Sequence, residues 1–380
     1  MTATKVLIVD DSALIRQMLQ EMLSSDPDIE VVGTASDPFV AREKIKELHP
    51  DVLTLDIEMP RMDGVTFLKN LMRLHPLPVI MVSTLTESGA DITFEALEVG
   101  AIDFVTKPKI NVVNTFEDYR DEICSKVKVA SRVSRTMLER SYQRYSQSLN
   151  ASKPLLSRAI TAARSTAPVV EKRTLDSVLG KNQPIKKHFR STDRIIALGA
   201  STGGTEAIKE VLMKLPADSP AMVITQHIPA AFSLPFAKRM DTVSAMTVCQ
   251  AEDGQAILPG HVYIAPGDKH LMVEREGARY VCRLNDGPPV NRHKPSVDVM
   301  FRSIVQHVGP NAIGVILTGM GNDGAQGMKE MQLSKAPTIA QNEKTSVVWG
   351  MPGEAVKLGA ADDILPLESI AERILALSSK

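Results

Sequence analysis

Long apolar runs, paired cysteines and an excess of either charge are all missing from this chain of 380 residues. The three cysteines, Cys124, Cys249 and Cys282, lie far apart with no C-x-x-C pair. That spacing supplies neither a disulfide framework nor a zinc signature, and it suits a reducing compartment. Lys and Arg number 44 against 45 Asp and Glu, so no global field argues for nucleic acid. After Met1-Thr2-Ala3-Thr4-Lys5 come four apolar residues and then Asp10-Asp11, too short a run for a signal peptide. Nothing elsewhere is long enough to span a bilayer. A soluble, cytosolic protein that is not membrane-embedded is expected.

A chain of this length predicts two domains, each with its own core. Val6-Leu7-Ile8-Val9, Val52-Leu53-Thr54-Leu55, Val79-Ile80-Met81-Val82 and Phe104-Val105 read as buried strands. Leu14 to Leu23, Ala41 to Leu48, Val65 to Leu74 and Thr93 to Val99 have helical spacing between them. The alternation predicts a doubly wound parallel sheet with ligands outside the strands' carboxyl ends. It returns after Asp193, with strand-like runs at Ile195 to Leu198, Ala221 to Ile224, Val262 to Ala265 and Ile313 to Leu317. Between the two, residues 131–190 hold thirteen Lys/Arg against three Asp/Glu and little apolar periodicity. That composition reads as a basic linker, helical at its start as far as Tyr145 and otherwise a solvated connector. The expected division is 1–124, a linker over 125–192, and 193–380.

In the first domain Asp10-Asp11, Asp56, Ser83 and Lys107-Pro108 all follow strands, so a parallel sheet brings them to one edge. Three carboxylates crowded there repel unless a cation sits among them, and oxygen ligands at an exposed edge suit Mg²⁺. Asp56 can then attack a phosphoryl group, with Lys107 neutralising charge and the Ser83 hydroxyl donating to a phosphoryl oxygen. Singly these residues have plainer explanations. Asp11 or Ser12 can cap the helix from Ala13, Asp56 can be a loop acid, and Lys107 a solvated side chain. Their convergence points to phosphoryl chemistry.

Val6-Leu7-Ile8-Val9-Asp10-Asp11-Ser12, the stretch from Leu55-Asp56 through Met62-Asp63-Gly64, and Val105-Thr106-Lys107-Pro108 together resemble a response-regulator receiver domain, flavodoxin-like in fold. The resemblance implies Asp56 as phosphoacceptor and a histidine kinase as donor. It places Asp11, Asp56 and the Glu58 carbonyl around Mg²⁺ with Asp10 just outside, and makes Ser83 and Lys107 the switch pair. Phe104 falls where such domains often carry a switching aromatic, though a buried core Phe is the simpler role.

In the second domain Gly199-Ala200-Ser201-Thr202-Gly203 fits G-x-S-x-G between a strand-like and a helix-like run. There a serine is lifted from the sheet beside backbone N–H groups. A Gly-rich turn at a helix start also cradles phosphate, so the turn alone leaves both readings open. His227 ends the run Ala221 to Gln226, and Asp323 lies in the turn after Ala312 to Thr318. Three parallel strands would deliver Ser201, His227 and Asp323 to one crevice as nucleophile, base and orienting acid. The chain order Ser…His…Asp is not that of the α/β-hydrolases. His261, His270, His293 and His307 are rival imidazoles, and Asp323 can be a turn former. Thr202 is either a hydroxyl helper or a helix cap. Gly319-x-Gly321-x-x-Gly324 with Glu343 about twenty residues on also fits a dinucleotide fingerprint. Glu343, however, lies in a polar stretch where that fold needs an acid at a strand end.

These motifs, with Ile264-Ala265-Pro266-Gly267 and the segment Asn285 to Asp298, resemble the CheB-type chemotaxis methylesterase domain, a three-layer α/β unit with a mostly parallel sheet. The resemblance implies a Ser201–His227–Asp323 hydrolase with no cofactor of its own. Its oxyanion donors would lie near Met320 and at the helix start beyond Ser201. Its substrates would be glutamate γ-methyl esters and selected glutamines on chemoreceptor cytoplasmic helices, reached at receptor clusters on the inner face of the membrane. Arg292-His293-Lys294 would guide an acidic receptor helix or be a surface loop. An unphosphorylated receiver would cover the Ser201 crevice, and Asp56 phosphorylation would release it. Two other classes remain open from the residues alone: a response regulator whose output module only binds a partner, and an oxidoreductase.

Overall fold

A computed structural model of the protein describes residues 3–84, 86–107, 114–151 and 194–379. It divides into two compact units, Met1–Val170 and Glu171–Lys380. No described helix is long and apolar enough to cross a membrane.

The first unit runs β1 (Thr4–Val9), α1 (Ala13–Ser24), β2 (Ile29–Ala35), α2 (Pro38–Leu48), β3 (Val52–Asp56), α3 (Gly64–Leu74), β4 (Val79–Ser83), α4 (Glu87–Val99), β5 (Asp103–Thr106), α5 (Asn114–Ala130) and α6 (Arg135–Ala151). Its five strands are all parallel in the order β2-β1-β3-β4-β5, the doubly wound sheet expected. β1, β3 and β4 are buried on both faces, which is why they read as unbroken apolar runs. Helix starts are set locally by side chains that accept from orphan backbone N–H groups: Ser12 for α1, Asp37 for α2, Asp63 for α3 and Thr86 for α4. Ser12, not Asp11, is the cap at the first of these, so Asp11 is left facing the strand edge.

The expected boundary at residue 124 falls inside α5, which continues to Ala130. Ile123, Cys124, Val127 and Ala130 are buried, and Leu138 of α6 is buried where that helix packs on α3 and α4. The compact unit therefore takes in the start of the basic segment. A few apolar residues on one helix face dock it, although the segment's overall composition is polar. The helical start read to Tyr145 is present, and α6 continues to Ala151. The linker's remainder, 152–192, lies outside the described residues.

The second unit runs β6 (Ile195–Ala200), α7 (Gly204–Leu212), β7 (Ala221–Gln226), α8 (Ala230–Val243), β8 (Thr247–Gln250), β9 (His261–Ile264), β10 (His270–Glu276), β11 (Arg279–Asn285), α9 (Val297–His307), β12 (Ala312–Ile316), α10 (Ala325–Leu333), β13 (Thr338–Gln341), α11 (Met351–Lys357), β14 (Asp363–Leu365) and α12 (Leu367–Ser378). Seven parallel strands lie in the order β14-β13-β12-β6-β7-β9-β8, and β10-β11 is a separate antiparallel hairpin. Helices α7, α8 and α12 pack together, as do α9, α10 and α11. Chain direction across the sheet reverses at β6, flanked by β7 on one side and β12 on the other. A crevice opens at the carboxyl ends of strands at such a reversal. In the first unit the reversal is between β1 and β3.

Gly64 shows how tightly these strand ends are built. A Cβ there would lie 2.0 Å from the Asp56 carbonyl oxygen. Gly64→Ala is expected to lower stability by about 1–3 kcal/mol, seen as a lower unfolding midpoint by circular dichroism. An unchanged midpoint would contradict this packing.

Candidate functional site

In the first unit Asp10, Asp11 and Asp56 each present an oxygen, all within 4.8 Å of one another. Lys107 Nζ donates to Asp56 Oδ2 at 2.8 Å and lies 3.3 Å from Asp10 Oδ2. That second contact is an ion pair without hydrogen-bond geometry at Asp10 Oδ2, a buried oxygen. Burial pushes Asp56 up to about 6 and the Asp10 charge adds to this, against the pull of Lys107. Burial likewise raises Asp10. Burial opposes the Lys107 charge, but the hydrogen bond and charge of Asp56 hold the ammonium above its ordinary range. Three carboxylates against one ammonium, with a buried oxygen unbonded, fit a divalent cation with oxygen ligands. Glu58 follows with an exposed side chain, its N–H donating to Asp56 Oδ1 at 3.3 Å.

Ser83 ends β4, buried. Its hydroxyl donates to the Thr84 carbonyl and accepts from Thr93 Oγ1 at 2.9 Å. Thr93 on α4 was not legible as a site residue, because nothing in a helical stretch marks one hydroxyl as facing a strand end. Phe104 is buried, with Lys126 Nζ 5.5 Å from its ring centroid.

In the second unit Ala200 pairs with Gln226, so Ser201 and His227 leave the sheet side by side. Ser201 N–H donates to the Thr318 carbonyl at 3.0 Å, and Gly204 N–H donates back to the Ser201 carbonyl at 2.7 Å, closing the elbow. The turn admits no side chain where glycine stands. A Cβ at Gly199 would lie 2.2 Å from Val297 Cγ1, and one at Gly204 2.2 Å from Gln226 Oε1. Gly203 caps α7 at φ 76° with no side-chain hydrogen bond, so Thr202 is not the cap. Thr202 is buried, its carbonyl accepting from Thr318 Oγ1. Gln226 Nε2 donates to the carbonyls of both Ser201 and His227, tying the two loops together.

His227 Nε2 meets Asp323 Oδ2 at 2.8 Å. A carboxylate accepts, so Nε2 carries the proton and Nδ1 the lone pair. Nδ1 is buried without a hydrogen-bond partner among the described residues. In the serine triad of the chymotrypsin type the acid holds Nδ1 and the nucleophile faces Nε2; here the acid holds Nε2 instead. The His293 ring stacks on that of His227, centroids 3.7 Å apart at 13°.

Asp323 is 1% exposed. Besides His227 it accepts from Asn291 Nδ2 (2.9 Å), Ser296 Oγ (2.8 Å), Val297 N–H (2.7 Å) and Asp298 N–H (3.3 Å). Burial alone would raise this carboxyl, but the hydrogen bond and charge of His227, with His293 and Asn291, hold it well below the ordinary range. The turn-former reading of Asp323 is therefore set aside. Asn291, Ser296 and Asp298 lie in the segment Asn285 to Asp298, where the sequence marks no individual role for them.

Of the rival imidazoles His293 lies at the site, stacked on His227, and the other three are engaged elsewhere. His270 Nε2 donates to the Pro288 carbonyl while Nδ1 accepts from Ser296 N–H, and burial lowers its pKa. His307 Nδ1 accepts from Arg275 N–H, and His261 bonds the Pro259 carbonyl. The fingerprint needs one correction. β12–α10–β13 is a strand–helix–strand unit with Glu343 two residues past β13, so the position of Glu343 does not dismiss a dinucleotide. The turn itself does, because Asp323 within it is committed to His227 and Gly319 abuts Ser201. Met320 sits on that turn.

A receiver-type phosphoryl edge in one unit and a serine elbow with a histidine–aspartate pair in the other define a response regulator with a hydrolase as output. Residues 6–114 match the response regulator receiver domain family, and residues 196–374 match the CheB methylesterase family. The chain is 70% identical over 380 residues, 100% of both chains, to the protein-glutamate methylesterase/protein-glutamine glutaminase of Hydrogenovibrio crunogenus. It is 50% identical to protein-glutamate methylesterase/protein-glutamine glutaminase 1 of Geobacter metallireducens, over 97% of this chain and 94% of that one. It is also similar to the CheB methylesterase catalytic domain of Thermotoga maritima, at 36% identity, covering 49% of this chain and 98% of that one with a TM-score of 0.48. The chain belongs to the CheB family of protein-glutamate methylesterases/protein-glutamine glutaminases, hydrolases of chemotactic adaptation that carry a receiver domain.

A Cβ at Gly319 would lie 2.8 Å from Ser201 Cβ and 2.3 Å from Met351 Sδ. Gly319→Ala is expected to displace the nucleophile and lower kcat by about a hundredfold, measured as ester hydrolysis. Wild-type kcat would show that this approach does not position Ser201.

Proposed function

We propose that Ser201, His227 and Asp323 hydrolyse γ-glutamyl methyl esters, and deamidate selected glutamines, on the cytoplasmic helices of chemoreceptors. The observation that carries this is the 2.8 Å bond from His227 Nε2 to Asp323 Oδ2, with Nδ1 left as an acceptor beside the elbow. His227 Nδ1 takes the Ser201 proton as Oγ attacks the side-chain carbonyl carbon, through a hydrogen bond that forms when substrate is bound. Asp323 stabilises the imidazolium so formed. The oxyanion is held by the Met320 N–H and the N–H groups beyond Ser201 at the start of α7, where the helix dipole adds its positive end. Thr202 is a hydroxyl helper at the same turn. His227 returns the proton to the departing methanol or ammonia, water attacks the acyl-enzyme by the same base, and the glutamate carboxylate leaves.

In the receiver, Asp56 accepts a phosphoryl group from a chemotaxis histidine kinase, and this raises the hydrolase rate. Asp11, Asp56 and the Glu58 carbonyl, with Asp10 just outside, would hold Mg²⁺, which supplies charge neutralisation at the phosphoryl oxygens. Lys107 leaves Asp10 and Asp56 for the phosphoryl group, and Ser83 turns its hydroxyl from Thr84 towards it. The protein acts in the cytoplasm, at receptor clusters on the inner face of the membrane.

Methanol release from methylated receptor membranes tests the mechanism. Ser201→Ala is expected to abolish it, and undiminished release would show an output module that merely binds. Asp323→Asn is expected to cost about ten-thousand-fold in kcat, since an amide can hold the wrong tautomer. Asp56→Asn is expected to keep basal release while losing its rise with a small-molecule phosphodonor; a persisting rise would place the phosphoacceptor elsewhere.

A further inference from the structure

The segment joining β11 to α9 holds two consecutive non-glycine residues in the left-handed region, Asn291 (φ 51°) and Arg292 (φ 71°). Val290 and His293 close it by exchanging backbone hydrogen bonds of 3.0 and 2.8 Å. Glycine would meet the backbone demand at Asn291 without strain. The side chain explains why asparagine stands there. Its Nδ2 donates to Asp298 Oδ2 at 2.7 Å and to Asp323 Oδ1 at 2.9 Å. A side-chain amide nitrogen carries two hydrogens, so both are committed, one to each carboxylate. Both acids are buried, Asp298 at 3% exposure and Asp323 at 1%. Asp298 Oδ1 accepts in turn from Gly327 N–H of α10 at 2.7 Å, which ties that carboxyl to the helix following the Asp323 turn. Burial and the neighbouring Asp323 charge push Asp298 upwards, as a second acid beside an ionised one requires.

We infer that Asn291 is a positioning residue for hydrolysis: by holding Asp323 Oδ1 against Asp298 Oδ2 it fixes the Asp323 carboxylate plane so that Oδ2 faces His227 Nε2. The inference rests on the reading of Ser201, His227 and Asp323 as the catalytic set. Aspartate at 291 would tolerate the left-handed backbone nearly as well but has no hydrogens to donate, and it would place a third carboxylate against two others.

The test compares full-length wild type, Asn291→Gly, Asn291→Asp and Ser201→Ala, with Mg²⁺ and acetyl phosphate present. Methanol release is followed over a range of methylated receptor membrane concentrations. Rates are taken per folded molecule, counted by fluorescence of Trp349, the one tryptophan in the chain. Asn291→Gly, which relaxes the backbone, is expected to lose at least about tenfold in kcat with KM within about twofold of wild type. Asn291→Asp should lose more. A merely structural role would lower the folded fraction and leave kcat per folded molecule unchanged, and that result would overturn the inference. So would a raised KM at wild-type kcat, which would make the segment a substrate contact. If Ser201→Ala also releases methanol, the catalytic reading itself fails. If Ser201→Ala is inert while both Asn291 variants match wild type, the positioning role alone fails.

Discussion

A carboxylate sealed from water is costly unless its lone pairs are met by donors, and the hydrolase unit is arranged around one such group. Asp323 accepts from His227, Asn291, Ser296, Val297 and Asp298, which come from the end of β7 and from the segment leading into α9. Two of these donors are the first backbone N–H groups of α9, so the helix start adds the positive end of its dipole to the same carboxylate. Ser296 is at once the cap of α9 and a donor to Asp323. Removing the charge would leave an imidazole, a hydroxyl and a side-chain amide without the acceptor each is aimed at.

Asp56 in the receiver is equally buried, and its carboxyl is shifted the other way. The difference lies in the donors: Lys107 and the Glu58 N–H at Asp56, against five groups at Asp323. With both oxygens saturated, Asp323 is held as a fixed, ionised carboxylate, which suits the orienting role proposed for it. With few donors and two neighbouring acids, Asp56 keeps lone pairs free, as the proposed cation and phosphoryl chemistry requires. One residue type serves two chemistries because the surrounding hydrogen bonds differ. Both acids stand where a parallel sheet reverses its winding, which is the geometric reason each domain has its site there.

Much of this was legible in the sequence because the site residues sit at the ends of strands buried on both faces. Such strands are runs rich in β-branched and other apolar residues, and the residue that ends each run is fixed by inspection: Asp56, Ser83, His227. β2, β8 and β14 escaped because they are edge strands with mostly half-exposed residues, and β13 because Thr338 and Gln341 leave only Ile339 and Ala340 as apolar residues between them. The docking of α6 was hidden by a polar, basic composition in which Leu138 carries the packing. Asn291, Asp298 and Thr93 were beyond reach for another reason. Their roles depend on partners brought near by the fold, and a lone Asn or Thr has no distinguishing neighbours in the chain. Glu343 was misread on its strand context, since β13 has only two apolar residues, between Thr338 and Gln341.

The central claim is that Asp323 holds His227 by Nε2 and so presents Nδ1 as the base for Ser201. The ¹⁵N spectrum of histidine-labelled full-length protein, with His227 assigned by loss of its signals in His227→Gln, reads that arrangement directly. The account predicts the Nε2–H tautomer at neutral pH, with an Nε2 proton shifted downfield by its hydrogen bond. A resting His227 protonated at Nδ1 would contradict it.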